Sequence, residues 1–319
     1  MCKRFSVLYL MLLIAIFISD RTFCLADEDA EINNQKENIL SLIEKGKFSE
    51  AKAATEKMII GFPGQAKLPD MLYWIAERFQ RVDRFDEAKQ ICDQIIEDYP
   101  DSPWAKKAKM GKAMSDAMSL VVSGKYTEAN EVTAQMASDF AGSPDLPEIL
   151  YWIAERYERI GRSVEAKRDY QRLIDLFANN YFAKKAKLGI PRADVIALVV
   201  AEDFNKAGLD LDKMTADFAS HPDLPETLYW LAYRYQDIGR IEDAKRLYNQ
   251  ITQNYANNLY TSKAVTQLFP DGDTGQAEVQ DVNLNPVLEK AAVELYRIAR
   301  GYEEANDFDS AAKKHTNGL

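Results

Sequence analysis

The sequence repeats itself at an offset of 78 residues. Leu68-Pro69-Asp70-Met71-Leu72-Tyr73-Trp74 returns as Leu146-Pro147-Glu148-Ile149-Leu150-Tyr151-Trp152, and again as Leu224-Pro225-Glu226-Thr227-Leu228-Tyr229-Trp230. Over residues 68–109 against 146–187, 20 of 42 aligned positions are identical, which marks internal duplication. A period of this length confines the chain to an array of like units, each burying its apolar face against the next.

Each block splits in two. Alanines in the same local setting fall at Ala51, Ala88, Ala129, Ala166, Ala207 and Ala244, at spacings of 37, 41, 37, 41 and 37 residues. Six units of this size each have room for two helices. After Leu68-Pro69, apolar residues stand at Leu72, Ile75, Ala76 and Phe79, the i, i+3, i+4, i+7 pattern of one helix face. Proline in the first turn gives up no needed N–H and starts that helix well. Gly161-Arg162 and Gly239-Arg240 break the chain where Asp83-Arg84 does in the first block. A second helix is predicted from about Asp86 to Tyr99, with Ala88, Cys92, Ile95 and Ile96 inward. No run of alternating β-branched residues is long enough for a strand, so the chain reads as all-α. Pro191, inside a predicted long helix, should kink or split it.

These positions resemble tetratricopeptide repeats. The pattern of a large residue, a Leu-small pair, an aromatic, then Ala-x3-aromatic and a closing Pro reads Leu72, Ile75-Ala76, Phe79, Ala88, Cys92, Pro100 here. The second block gives Leu150, Ile153-Ala154, Tyr157, Ala166, Tyr170, and the third Leu228, Leu231-Ala232, Tyr235, Ala244, Tyr248. The alternate units fit less closely, with Thr55, Thr133 and Leu211 in the aromatic slot. The resemblance implies a right-handed α-solenoid of six such helical hairpins over residues 27–265, in double repeats of about 36–110, 111–188 and 189–265. The tract 95–108 is also similar to repeats of exported bacterial envelope proteins, such as outer-membrane assembly lipoproteins and periplasmic cell-division coordinators.

Residues 1–26 stand apart. Lys3-Arg4, an apolar run from Val7 to Ile18 and a small-x-small ending at Cys24-Leu25-Ala26 describe a signal peptide cleaved near Ala26. An uncleaved anchor and lipidation at Cys24 are the alternatives. Cleavage takes three cations and one anion from totals of 40 and 50, leaving 37 against 49, a net charge of −12, with Cys92 as the one remaining cysteine. No intramolecular disulfide can then form, and nucleic acid is repelled at long range. Membrane contact would come only through an uncleaved signal or lipidation. The expected location is the periplasm or another secreted, envelope-associated space.

Past the array, residues 266–286 hold Pro270, Gly272, Gly275 and Pro286 and read as an acidic linker or loop. Asp271-Gly272-Asp273 lacks the spacing and closing Glu of a calcium loop, so no metal is expected. Leu295, Ile298-Ala299, Tyr302 and Ala311 restart the pattern as a partial unit over 287–319, which stops before a second helix is complete. A truncated or ragged end is expected there.

Two histidines and three cysteines leave little material for zinc sites or His-dependent triads, and no glycine-rich phosphate loop appears. No cofactor is expected, and the chain reads as a non-enzymatic scaffold. The resemblance places Tyr73, Tyr151 and Tyr229, with Glu77, Glu155 and Tyr233 one turn on, along a concave ligand-holding groove, and Asp70, Glu148 and Glu226 as a third ring. Such an acidic, tyrosine-lined surface suits a basic or polar segment of a partner protein. The opposing readings are that Tyr73 and Trp74 pack between units, and that Glu77 pairs with Arg81 as Glu155 does with Arg159. An alternative function is a small-ligand or glycan module that stacks on Tyr and Trp. Arg78, Arg156 and Arg234 are expected to pair with neighbouring units. Lys106-Lys107-Lys109 and Lys184-Lys185-Lys187 are expected to form solvated helix faces.

Overall fold

The structure is a computed structural model that describes residues 30–256 and 258–269. All its regular elements are helices: α1 (30–44), α2 (Phe48–Gly61), α3 (Leu68–Arg81), α4 (Phe85–Asp98), α5 (Pro103–Val122), α6 (Tyr126–Asp139) and α7 (Leu146–Arg159) come first. They are followed by α8 (Ser163–Phe177), α9 (Tyr181–Val200), α10 (Phe204–Asp217), α11 (Leu224–Asp237), α12 (Ile241–Asn254) and α13 (Leu259–Leu268). Among the described residues there is no strand. Two compact units form, one over 30–119 and one over 120–269. The expected segments 1–26 and 287–319 lie outside the described residues, as does the expected linker 266–286 from residue 270 on; its start is not a loop, because α13 runs on to Leu268.

Local chemistry explains the hairpins. Helices α3, α7 and α11 each begin with Leu-Pro, carry an acid in the first turn, and end among arginines that favour the negative end of the helix dipole. Each then stops in the same way. Asp83, Gly161 and Gly239 take positive φ of 60°, 75° and 78°. The next N–H, of Arg84, Arg162 or Arg240, reaches back to Phe79, Tyr157 or Tyr235 C=O at 2.9, 2.9 and 2.8 Å. This is a Schellman stop; glycine meets its left-handed residue at no steric cost, and a short polar aspartate tolerates it.

In the first unit Leu72, Ile75, Ala76 and Phe79 of α3 are buried against Ala88, Cys92 and Ile95 of α4. In the second, Tyr157, Tyr170 and Leu173 are buried, and Tyr235, Tyr248 and Ile251 share one core cluster. Burial of each large side chain stabilises by about 1.5–3 kcal/mol, so the core carries the repeat.

The alternate first helices depart from the expected unit. α5 and α9 are 20 residues long, against 14 for α3 and α7. Their added turns begin with a matching cap: Ser102, Asn180 and Asn258 each accept the N–H two residues on, of Trp104, Phe182 and Tyr260, at 3.2, 2.8 and 2.9 Å. The cap thereby fixes where the aromatic ring begins. Pro191 does not split α9, which runs through it as one helix.

Candidate partner-binding face

The tyrosines expected to line a groove are instead in the core. Tyr73, Tyr151 and Tyr229 are 7%, 3% and 5% exposed. The helix that opens the next hairpin covers each of them with a ring and a lysine. Trp104, Phe182 and Tyr260 lie 5.3, 5.8 and 5.6 Å from the respective tyrosine centroids. Lys107, Lys185 and Lys263 stand over the same rings at 5.8, 5.7 and 5.6 Å. The solvated lysine faces are thus corrected at one residue in each cluster. Lys106, Lys109, Lys184 and Lys187 are exposed, whereas Lys107 and Lys185 are half-buried.

The third ring of carboxylates also turns inward. Glu226 accepts from Lys185 Nζ at 2.8 Å, joining α11 to α9. Burial pushes the Glu226 carboxyl up, but Lys185 and a hydrogen bond from Tyr260 outweigh it and hold the group below its ordinary value. Glu148 and Asp70 are half-buried at the same register, and Asp70 Oδ1 is buried without a hydrogen bond.

What the first helices leave towards solvent is one residue further round. Trp74 is 49% exposed, and Trp152 and Trp230 are half-buried. One turn on stand Glu77, Glu155 and Tyr233, each half-buried. Glu155 pairs with Arg159 at 3.4 Å, as expected, and Tyr233 meets Trp230 edge-to-face at 6.2 Å. The stripe Trp74–Glu77, repeated as Trp152–Glu155 and Trp230–Tyr233, offers apolar area beside polar groups.

Behind this face the second unit carries a buried polar cluster. Arg192 on α9 donates through Nε to Glu158 Oε1 at 2.5 Å, and through Nη2 to Glu158 Oε2, Tyr151 Oη and Tyr170 Oη at 3.0, 3.1 and 3.1 Å. Tyr170 in turn donates to Glu158 at 2.6 Å. Burial would lower the Arg192 guanidinium, but the Glu158 carboxylate beside it wins and raises it well above its ordinary value. Burial likewise pushes the Tyr151 hydroxyl up to about 12. The cluster pins Tyr151 at its hydroxyl end while Phe182 and Lys185 hold its ring.

In the first unit Gln80, Cys92 and Met114 occupy the register of Glu158, Tyr170 and Arg192. Gln80 there donates to Gly111 C=O at 2.8 Å and to Ser115 Oγ at 2.9 Å. Cys92 is fully buried, and burial pushes its thiol up to about 12. Peptide-mapped iodoacetamide labelling at about pH 8 is therefore expected to spare Cys92 until denaturant opens the first unit. Rapid labelling of the folded chain at Cys92 would contradict its place in the core.

Arg78 pairs with Glu44 on α1, as expected of an arginine facing a neighbouring unit. Val122 and Val200 stand at the register of Glu44 in the later blocks, so that pairing is not copied to Arg156 and Arg234.

Fold and face together define a helical-hairpin repeat protein with a recurring aromatic stripe on its first helices. Residues 70–102, 148–180 and 226–258 match the tetratricopeptide repeat family model, and they coincide with the hairpins α3–α4, α7–α8 and α11–α12. Among solved structures, the chain is similar to TPR-like repeats from a protein of Podosopora anserina described as a kinesin light chain, at 17% identity and TM-score 0.37, over 60% of this chain and 97% of that one. A tetratricopeptide repeat protein from Parabacteroides merdae is similar at 11% identity and TM-score 0.34, over 74% and 98%. Pseudomonas aeruginosa PilF is similar at 14% identity and TM-score 0.35, over 74% and 97%. No match is found among curated proteins.

Proposed function

We propose that the chain is a non-enzymatic scaffold, exported to the cell envelope, which holds a segment of another protein against the second unit's stripe, Trp152 and Trp230 with Glu155 and Tyr233; Trp74 with Glu77 offers the same pairing on the first unit. The observation that carries this reading is that a large aromatic recurs three times at one register and keeps solvent access. The tyrosine before it is buried each time. Burying a tryptophan at an interface is a strong source of binding energy, and adjacent polar groups fix the orientation of a bound segment. The signal-like residues 1–26 support export. Among the described residues no helix is long and apolar enough to cross a membrane.

Changing Trp74, Trp152 and Trp230 together to alanine tests the face. The variant is expected to keep its helical circular dichroism and to lose at least ten-fold in recovery of the protein that co-purifies with the wild type. Undiminished recovery would overturn the assignment. Loss of retention on immobilised glycans, with protein recovery intact, would replace it with the small-ligand reading.

A further inference from the structure

One arginine of the second unit lacks the acids that accompany its counterparts. Arg78, Arg156 and Arg234 share a register, and in the first block Arg78 is bonded to Glu44. In the third block Val200 stands where Glu44 does, and Tyr233 stands where Glu77 and Glu155 do. That block therefore keeps the guanidinium without either carboxylate. Arg234 Nε is buried with no hydrogen bond, so packing and not an ion pair holds the head in place. Nη1 and Nη2 reach solvent and have no acceptor among the described residues. Glu202, two residues past Val200, and Asp237, at the end of α11, are both exposed, and neither takes a bond from it. Trp230 lies one turn before Arg234 and exposed Ile238 one turn after, on the same helix face.

We propose that this fork takes the carboxylate of an Asp or Glu side chain in the partner segment, whose adjoining apolar residue lies on Trp230. The assignment rests on the reading of Trp230 and Tyr233 as part of the partner face. A guanidinium presents its N–H groups in a planar fork that matches a carboxylate through two parallel bonds. Because Nε is already clamped, little side-chain freedom is lost when the fork is filled. The sign of the charge beside the tryptophan decides which segment fits. Of the charged residues on α11, Glu226 turns inward to Lys185, Arg234 stands one turn from Trp230, and Asp237 stands two turns away. On α7 the corresponding Glu155 is answered by Arg159, whereas Tyr233 adds no charge of its own. A basic side chain placed against Trp230 would meet the cation first.

Titration of the full chain with acetyl-Phe-Glu-amide and with its uncharged counterpart acetyl-Phe-Gln-amide tests this. Binding is followed at the indole N–H resonance of Trp230, identified by its loss in W230F. The glutamate dipeptide is expected to bind with a dissociation constant on the order of 1 mM, about five-fold tighter than the glutamine one. R234Q should make the two dipeptides bind alike. V200E should do the same with Arg234 still in place, because it restores the acid that Glu44 supplies in the first block. R162Q, which alters an arginine bonded to Glu165 at 3.1 Å on the α7–α8 turn, should leave the preference unchanged. Equal affinities in the wild type, a preference that survives R234Q or V200E, or tighter binding of inorganic phosphate than of the glutamate dipeptide would each overturn the proposal. Equal affinities combined with loss of the co-purifying protein in the tryptophan-to-alanine variant would remove the carboxylate site and leave the stripe standing. An Arg234-dependent preference with undiminished recovery would do the reverse.

Discussion

Replacing Arg192 with alanine is expected to lower the unfolding free energy by about 3–5 kcal/mol. The size follows from what is left behind rather than from what is removed. Glu158 is buried, and Arg192 neutralises both its oxygens. Without the guanidinium the carboxylate must stay charged in a poorly polarisable interior or take up a proton, and the Tyr151 and Tyr170 hydroxyls lose a donor as well. The first unit shows how to separate the pair's worth from the cost of breaking it. It fills the same register with Gln80 and Met114, so the double variant Glu158→Gln, Arg192→Met transplants a combination the repeat already accepts. That variant should lie within about 1.5 kcal/mol of the wild type, far above the single variant. Urea unfolding followed by circular dichroism measures both. Equal losses for the two variants would show that the ion pair itself, rather than an abandoned charge, holds the second unit together.

Gly189→Ala is the other large effect. A Cβ there would lie 2.7 and 2.8 Å from ring carbons of Tyr170, closer than side-chain carbons approach one another. The ring cannot move freely aside, because its hydroxyl is held by Glu158 and Arg192. Overpacking of this sort costs about 1–3 kcal/mol, and the pinned hydroxyl puts the expected loss at the upper end. The counterpart Gly111 has room, since its added Cβ would sit 3.5 Å from Cys92 Sγ. Introducing Tyr170→Cys should therefore remove most of the penalty of Gly189→Ala, giving a coupling of at least about 1 kcal/mol in a double-mutant cycle. Additive losses would mean that the glycine answers to helix geometry around Pro191 and not to the tyrosine.

These two effects lie in the part of the molecule that was hardest to read from the sequence. Hairpin boundaries were legible because their causes are local: Leu-Pro starts, apolar residues at helical spacing, and a glycine or aspartate at each stop. The tyrosines were not, because what covers them comes from the following hairpin, about 31 residues on in the case of Tyr73 and Trp104. Two features did point that way. The alternating 37- and 41-residue spacings leave room for longer helices. The Ser102, Asn180 and Asn258 caps also lead into an aromatic followed three residues later by lysine. Both are visible in the sequence, but only packing says that the lysine lies over a neighbour's ring rather than in water. The tryptophans show the reverse. Large aromatics are usually interior, yet rotation of about 100° per residue carries Trp74 out of the contact that buries Tyr73.

Glu155 and Glu165 illustrate why charge pattern alone did not single out the face. Both pair within their own helix region, with Arg159 and with Arg162, by the same short-range geometry. Their difference is position: one shares the stripe of Trp152, and the other flanks the hairpin turn. A binding role for Glu155 thus rests on its tryptophan neighbour, whereas its pairing with arginine says nothing of it.

Photo-crosslinking from the stripe tests the central claim most directly. A benzophenone side chain placed at Glu77 or at Glu155, in cells expressing the full chain, should capture a discrete protein adduct on irradiation. The same group at Ile60, which is 79% exposed on α2 and lies off the stripe, should capture none. Adducts from Ile60 equal to those from Glu77 and Glu155, or none from any of the three positions, would contradict a scaffold that binds its partner on this face.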